Sequence, residues 1–367
     1  MGRLHELFDE QGQSPWLDNL KREWLHSGEI QRWIDRGVRG ITSNPAIFQK
    51  AIESATEYDE QFSALIAGGA SVEDAYWELV ISDINDALGL LRPTHDASGG
   101  ADGFVSVEVS PALAHDSAAT EAAARDLAER IDAPNLMVKI PATRAGLAPI
   151  STMIAEGHSI NVTLIFSLER YAEVMEAYLS GLEAAVAAGV DDLSTISSVA
   201  SFFISRVDTE VDKRLDAIGT DEALSLRGHA AFVQGQLAYE MFRSTFSGDR
   251  WEALAAKGAR PQRPLWASTS TKNPAYADTL YVDTLIGPDT VNTVPDATLD
   301  AFEDHGTVAR TVDGDVEGAH QVWKSVGALV DLDAVAEQLE REGVASFISA
   351  YDDLLAVLAA KAQQLTS

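Results

Sequence analysis

The chain has 367 residues, no cysteine, and 57 acidic against 27 basic side chains, a formal net charge of −30. The missing cysteines exclude disulfides, thiolate nucleophiles and cysteine-held metals. The acid excess excludes nucleic acid and anionic membranes as natural partners, and an anionic substrate would need a local cluster of basic groups.

No apolar run approaches the roughly 20 residues of a membrane span. The first residues, Met1-Gly-Arg-Leu-His-Glu-Leu-Phe8, lack a signal-peptide core. The expectation is a cytoplasmic protein. In chain order, Ser14-Pro-Trp-Leu-Asp18 reads as a short extended segment and residues 20–36 as a helix. Residues 37–45 read as a second strand halted by Pro45, followed by helices over 46–66 and 72–91. Residues 93–103 are rich in Gly, Asp and Ser and read as a loop. A third strand, 104–111, carries Glu108 near its end, and 116–130 is helical. The fourth strand is Asn135-Leu-Met-Val-Lys-Ile-Pro141, after which Thr143 can cap a helix to 156. The fifth strand, 159–167, ends at Ser167, a cap for a helix reaching 188. A sixth strand begins at Thr195 and leads through Arg206 into long helices over 207–246. Residues 264–268 are the seventh strand, 269–273 a polar loop, 274–285 a short helix, and 290–295 the eighth strand. Helices over 297–303, 314–327 and 331–364 finish the chain.

Eight strands, each followed by a helix, argue for a parallel sheet, and eight such units suggest one closed (β/α)8 barrel spanning residues 1–367. The surplus over the roughly 250 residues typical of that fold lies in extra helices, notably after strand 6 and at the C-terminus. An open doubly wound sheet is the alternative, because strand order is not written in the sequence. No Gly-x-Gly-x-x-Gly or Walker-type loop supports nucleotide binding.

Lys139 stands inside the apolar run of the fourth strand. A buried lysine is rare unless paired or employed, burial favours its neutral form, and a neutral amine can attack a carbonyl to form a Schiff base. The plain alternative is a strand-end lysine that extends its ammonium to water. Other polar residues occupy matching positions at the C-terminal ends of strands: Asp18, Asn44, Glu108, Asn161 with Thr163, Ser201 with Arg206, and Ser268 with Lys272. In a barrel these ends converge on one mouth, the usual active-site face. Taken singly, each has a simpler reading. Asp18 could cap a helix, Asn44-Pro45 could be turn chemistry, Asn161 and Thr163 could satisfy backbone groups, and Glu108 could pair with a structural cation.

Five segments resemble the transaldolase family: Gly40-Ile-Thr-Ser-Asn-Pro45, Val105-Ser-Val-Glu-Val-Ser-Pro111, Leu136-Met-Val-Lys-Ile-Pro-Ala-Thr143, Ile160-Asn-Val-Thr-Leu-Ile-Phe-Ser167 and Ser201-Phe-Phe-Ile-Ser-Arg206. They occur in the family's order from about Trp16 onward. The length and Trp266-Ala-Ser-Thr-Ser-Thr-Lys-Asn273 are most similar to its longer bacterial branch. The resemblance implies a barrel that moves a dihydroxyacetone unit from sedoheptulose 7-phosphate to glyceraldehyde 3-phosphate, giving erythrose 4-phosphate and fructose 6-phosphate. It implies no cofactor and no metal, because the protonated imine is the electron sink.

By that resemblance, Lys139 forms the imine and Asp18 is the acid–base for the C4 hydroxyl. Glu108 works through a water held by Thr163. Asn44 and Asn161 hold the hydroxyls of the three-carbon unit, and Ser201 and Arg206 form the substrate wall and phosphate site; Phe203, two residues after Ser201 and three before Arg206, is expected close to the bound intermediate. The shorter branch ends its seventh-strand motif in a phosphate-binding arginine; here the longer loop offers Ser268 and Lys272 instead. Lysine binds phosphate as a point charge without arginine's fork. Expected partners are sugar phosphates, with the chain a monomer or homodimer. The rivals are a fructose 6-phosphate aldolase with the same imine and a sugar-phosphate binder that has lost turnover. Some long-branch relatives are fused to a sugar-phosphate isomerase; this sequence is expected to carry transaldolase chemistry alone.

Overall fold

A computed structural model describes residues 2–53 and 55–365. Its eight strands are β1 (Gln13–Leu17), β2 (Ile41–Thr42), β3 (Val105–Glu108), β4 (Leu136–Pro141), β5 (Ile160–Ile165), β6 (Ser198–Phe203), β7 (Arg263–Ala267) and β8 (Thr290–Val294). They are all parallel and close in sequence order, with β8 returning to β1 through the pair Gln13↔Thr290. The open-sheet alternative is thereby excluded. Nearly every strand residue is buried, because one face looks into the barrel and the other onto helices.

Alternation along β6 shows the two faces. Phe202 points outward against Tyr171, ring centroids 5.7 Å apart, while Ser201 and Phe203 look inward. The N-terminal end of the barrel is plugged by polar contacts. Buried Asp102 accepts from Ser14, from Trp16 Nε1 at 2.9 Å and from Arg39 Nε at 2.9 Å. The C-terminal end opens into the larger of the cavities at the two ends, about 790 Å³ against about 590 Å³ beside Asp102.

Several helices differ from the sequence reading. The helix over 20–36 is two, Arg22–Ser27 and Glu29–Arg36, broken at Gly28 with φ 78°. Residues 46–66 likewise form Pro45–Glu53 and Asp59–Ala67. The expected loop at 93–103 starts late, because the helix Val72–Ala97 runs through Pro93. The carbonyl that Pro93 cannot bond belongs to Gly89, which has no side chain to crowd a small adjustment. Thr143 stands before its helix, which starts at Leu147; its hydroxyl donates to Ala114 O and accepts from Gly146 N. Ser167 does cap its helix, accepting from Arg170 N at 3.1 Å. Of residues 274–285 only Leu280–Asp283 is helical.

The surplus helices are where they were expected. Ser205–Ile218, Asp221–Ser225, Ala230–Thr245 and Gly248–Ala255 follow β6, and Val316–Leu329 and Leu332–Leu365 close the chain. The last helix corrects the statement about apolar runs, since by length and composition alone it could cross a membrane. Here its apolar stripe of Val344, Phe347, Tyr351, Leu354 and Leu358 is buried against the barrel and its helices, and Asp352 and Asp353 are exposed on its other side.

Candidate active site

Register places the central groups. Glu108 pairs with Lys139 across β3 and β4, and Lys139 with Asn161 across β4 and β5, so the three point into the barrel side by side. Lys139 is only 4% exposed. Its Nζ lies 3.1 Å from Glu108 Oε2 and donates to Ser43 O at 3.4 Å. It is therefore internal and paired, and does not reach out to water. The cation that Glu108 meets is Lys139 itself. Burial pushes the Glu108 carboxyl above its ordinary range, with the Lys139 ammonium opposing and the Asp18 charge adding to the rise.

Asp18 follows the last residue of β1 and caps no helix, since the next one has Lys21 at its N-cap. Its Oδ1 accepts from Thr42 Oγ1 at 2.8 Å. Burial raises this carboxyl too, against the pull of Lys139, Thr42, Lys272 and Arg206. Two carboxylates thus share one ammonium, and burial makes each easier to protonate than a solvated carboxyl.

The mouth holds a cavity of about 790 Å³. Of the residues singled out in the sequence, Asp18, Asn44, Lys139, Thr163, Ser201, Phe203, Arg206, Ser268 and Lys272 line it. Glu108 and Asn161 do not. Glu108 approaches Lys139 from behind, in a small niche with Tyr76, Pro111 and Tyr351. Asn161 is fully buried, donating to Ser106 Oγ at 3.0 Å and accepting from Ser201 Oγ at 2.7 Å. It orients Ser201, which does face the cavity. Asn44 serves its turn as well: Oδ1 caps the helix Pro45–Glu53 by accepting from Ile47 N at 3.0 Å. Thr163 Oγ1 is buried without a hydrogen-bond partner among the described residues, so it is available to a ligand.

One wall is cationic. β6 ends at Phe203, so Arg206 belongs to the first turn of the helix Ser205–Ile218 and not to the strand segment in which the sequence placed it. Its guanidinium lies 5.3 Å from the Phe203 ring centroid and has no hydrogen bond or ion pair among the described residues. Burial lowers its pKa. Lys272, on the loop after β7, donates to Ser270 Oγ. Burial, and then the Arg206 charge, lower its pKa. That loop departs through Ser268, held at φ 57° with Oγ 3.0 Å from Ser205 Oγ. A left-handed non-glycine residue costs about 1–2 kcal/mol, and such residues gather at functional sites.

Three contributors escaped the sequence reading. Phe347 of the C-terminal helix roofs the cavity, its ring centroid 6.0 Å from Lys139 Nζ. Its apolar spacing was legible; what it would cover was not. Thr42 orients Asp18, and its place in the Gly40–Pro45 segment was the available signal. Lys50 lines the cavity and acts electrostatically on Lys272, and nothing in its surroundings marked it.

If Arg206 grips phosphate, Arg206→Ala should cost phosphorylated substrates about 1.5–3 kcal/mol in kcat/KM, the range for hydrogen bonds to charged groups. Dihydroxyacetone as an unphosphorylated donor should lose far less. An equal loss for both would make Arg206 a structural residue.

Comparison with known proteins agrees with this geometry. The family model described as Transaldolase/Fructose-6-phosphate aldolase matches residues 15–358. Transaldolase 1 of Streptomyces coelicolor is 54% identical over 97% of this chain and 94% of that protein. The transaldolase of Saccharopolyspora erythraea is 52% identical over 95% of each chain, and that of Thermobifida fusca 51% over 97% of each. A match to the family over nearly the whole barrel, on which the lysine, the two carboxylates and the cationic wall are built, decides the affiliation: the chain belongs to the transaldolase/fructose-6-phosphate aldolase family.

Proposed function

We propose that the chain is a transaldolase working through an imine on Lys139, and that the observation carrying this reading is the buried Nζ 3.1 Å from Glu108 in a cavity shared with Asp18 and Arg206. The amine attacks C2 of sedoheptulose 7-phosphate, and water leaves from the carbinolamine to give a protonated imine. Glu108, made easier to protonate by burial, exchanges protons with nitrogen and the departing oxygen, with Thr163 holding the water. Asp18 takes the C4 hydroxyl proton as the C3–C4 bond breaks, the electron pair moves into the enamine, and erythrose 4-phosphate departs. The enamine then attacks the aldehyde carbon of glyceraldehyde 3-phosphate, and Asp18 returns the proton to the new hydroxyl. Hydrolysis of the imine frees fructose 6-phosphate and the lysine.

Asn44 and Ser201, the latter oriented by Asn161, hold the hydroxyls of the three-carbon unit, and Arg206 and Lys272 hold the phosphate. Electrostatic focusing in the walled cavity lets this cationic end act against the −30 background. Such a reaction belongs to the pentose phosphate pathway of the cytoplasm. The deciding assay runs sedoheptulose 7-phosphate with and without glyceraldehyde 3-phosphate. Turnover only with the acceptor supports the transferase; free dihydroxyacetone in its absence means an aldolase.

Phe203 favours the transferase over the aldolase. Its ring lines the cavity and packs on Phe166 at 5.1 Å, whereas Phe202 is wholly in the core. A phenyl ring has no donor or acceptor with which to orient a water toward the imine, so the enamine waits for an aldehyde. Phe203→Tyr supplies a hydroxyl there. Release of dihydroxyacetone from fructose 6-phosphate should rise while transfer falls, both measured on one preparation. A parallel fall with an unchanged ratio would mean that the ring only packs.

A further inference from the structure

The loop that carries Lys272 is tied on its inner side to the helix that carries Arg206. Residues 272–275 are exposed. The loop closes on itself: Thr271 Oγ1 donates to Ala277 O at 2.8 Å, and Ala275 N donates to Asn273 Oδ1 at 3.0 Å. On its outer side His305 Nε2 lies 2.9 Å from Asp278 Oδ1. On its inner side the Tyr276 hydroxyl donates to Asp212 Oδ2 at 2.6 Å. Asp212 Oδ1 in turn accepts from Gly228 N at 2.9 Å. The Tyr276 ring lies on Gly228, where a Cβ would stand 2.8 Å from Cζ, so only glycine lets the ring so close. Just beyond the loop, Tyr281 donates to buried Asp208 at 2.8 Å, and Asp208 also accepts from Ala231 N at 2.7 Å. Asp208 and Asp212 are one turn apart on Ser205–Ile218, directly after Arg206.

We infer that Tyr276 is the positioning residue of the phosphate-binding end, a phenol that hangs the Lys272 loop from the helix bearing Arg206 and so sets the separation of the two cations. The inference rests on the reading of Arg206 and Lys272 as the phosphate grip. Two like charges facing one cavity repel until an anion sits between them. Lysine's four-carbon stem on an exposed loop would otherwise swing the charge away and be ordered again at each binding event, at an entropic cost taken from affinity. A hydrogen bond to a carboxylate is about twice as strong as one between neutral groups. Asp212 is itself fixed by Gly228 N, so the loop is anchored to a rigid point. The phenol touches no reacting atom; it acts through Lys272.

The test is Tyr276→Phe, assayed with glyceraldehyde 3-phosphate and with unphosphorylated glyceraldehyde as acceptors, and with inorganic phosphate as a competitive inhibitor. KM for the phosphorylated acceptor and Ki for phosphate should both rise about tenfold, the factor that 1.4 kcal/mol produces. The kcat, and the KM for glyceraldehyde, should stay within about twofold. Asp212→Asn keeps the oxygen that accepts from Gly228 N and turns its amide N–H toward the phenol oxygen, a neutral hydrogen bond about half as strong as the present one, so it should lose less phosphate affinity than Tyr276→Phe. Equal losses with both acceptors, or no change in either, would overturn the inference. Lys272→Ala and Arg206→Ala separate the two layers of the argument. If they discriminate between the acceptors and Tyr276→Phe does not, the clamp is wrong and the phosphate grip stands. If neither discriminates, the grip is wrong and the clamp falls with it.

Discussion

Lys139→Met is expected to lower turnover by about four to six orders of magnitude, the loss seen when a covalent nucleophile is removed. Borohydride added with fructose 6-phosphate should reduce the imine to a stable adduct on Lys139 in the native chain and leave none in the variant. An adduct mapped to another residue, or one that persists in Lys139→Met, would sink the mechanism. The structure adds an effect on stability. Methionine fills the space but leaves Glu108 without the ammonium that stands 3.1 Å away. The carboxyl is already raised by burial, and without its opposing cation it rises further. An acid whose folded pKa lies above its unfolded value gives stability that is present at low pH and lost as pH rises through the folded value. The variant should therefore melt close to the native protein at pH 5 and below it at pH 8. The same deficit at both pH values would mean that Glu108 and Lys139 do not interact as an ion pair.

The second large effect is expected at Asp18. Asp18→Asn keeps the shape and the contact with Thr42 but cannot carry a proton to and from the C4 hydroxyl. Loss of a general acid–base costs about 10²–10⁴ in rate. Imine formation does not use this group, so borohydride trapping on Lys139 should survive. Stability should move the other way. The Asp18 carboxyl is raised by burial, so ionising it in the folded state costs free energy. That cost is absent below the ordinary carboxylate pKa of about 4 and grows as pH climbs through the raised value. The asparagine variant should melt above the native protein at pH 7–8, by roughly 1 °C for each kcal/mol of relief in a chain of this size. The advantage should vanish toward pH 4. A variant that is less stable at pH 8 and also fails to trap the imine would show Asp18 to be a structural support and not a proton carrier.

The sequence by itself determined the barrel and its chemical centre. Apolar runs bounded by Pro, Gly and capping residues located all eight strands, because a strand buried on both faces must be apolar wherever it has no task. The exceptions within those runs, Glu108, Lys139, Asn161, Thr163 and Ser201, were legible for the same reason: a polar residue in such a run is costly unless it is paired or used. Capping by Ser167 was equally local and equally readable. Tertiary structure alone decided what depends on distance in space and not along the chain. Closure of β8 on β1 turned five separate motifs into one mouth. Burial then decided that Glu108 would stand behind Lys139 while Asp18 faced the cavity, and that Asn161 would support Ser201 from below. Phe347 lies more than two hundred residues from Lys139 in sequence and roofs it only because the final helix folds back over the barrel. The place of Arg206 is the sharpest case. A strand's periodicity runs on through Ile204 in the sequence, but the chain turns helical at Ser205, and the Ser268 turn together with the phenol–carboxylate contacts to Asp208 and Asp212 ties the Lys272 loop to the helix of Arg206. Local pattern specifies local conformation; the convergence of like charges needs contacts from distant segments to hold it, and those have no signature in any one stretch of chain.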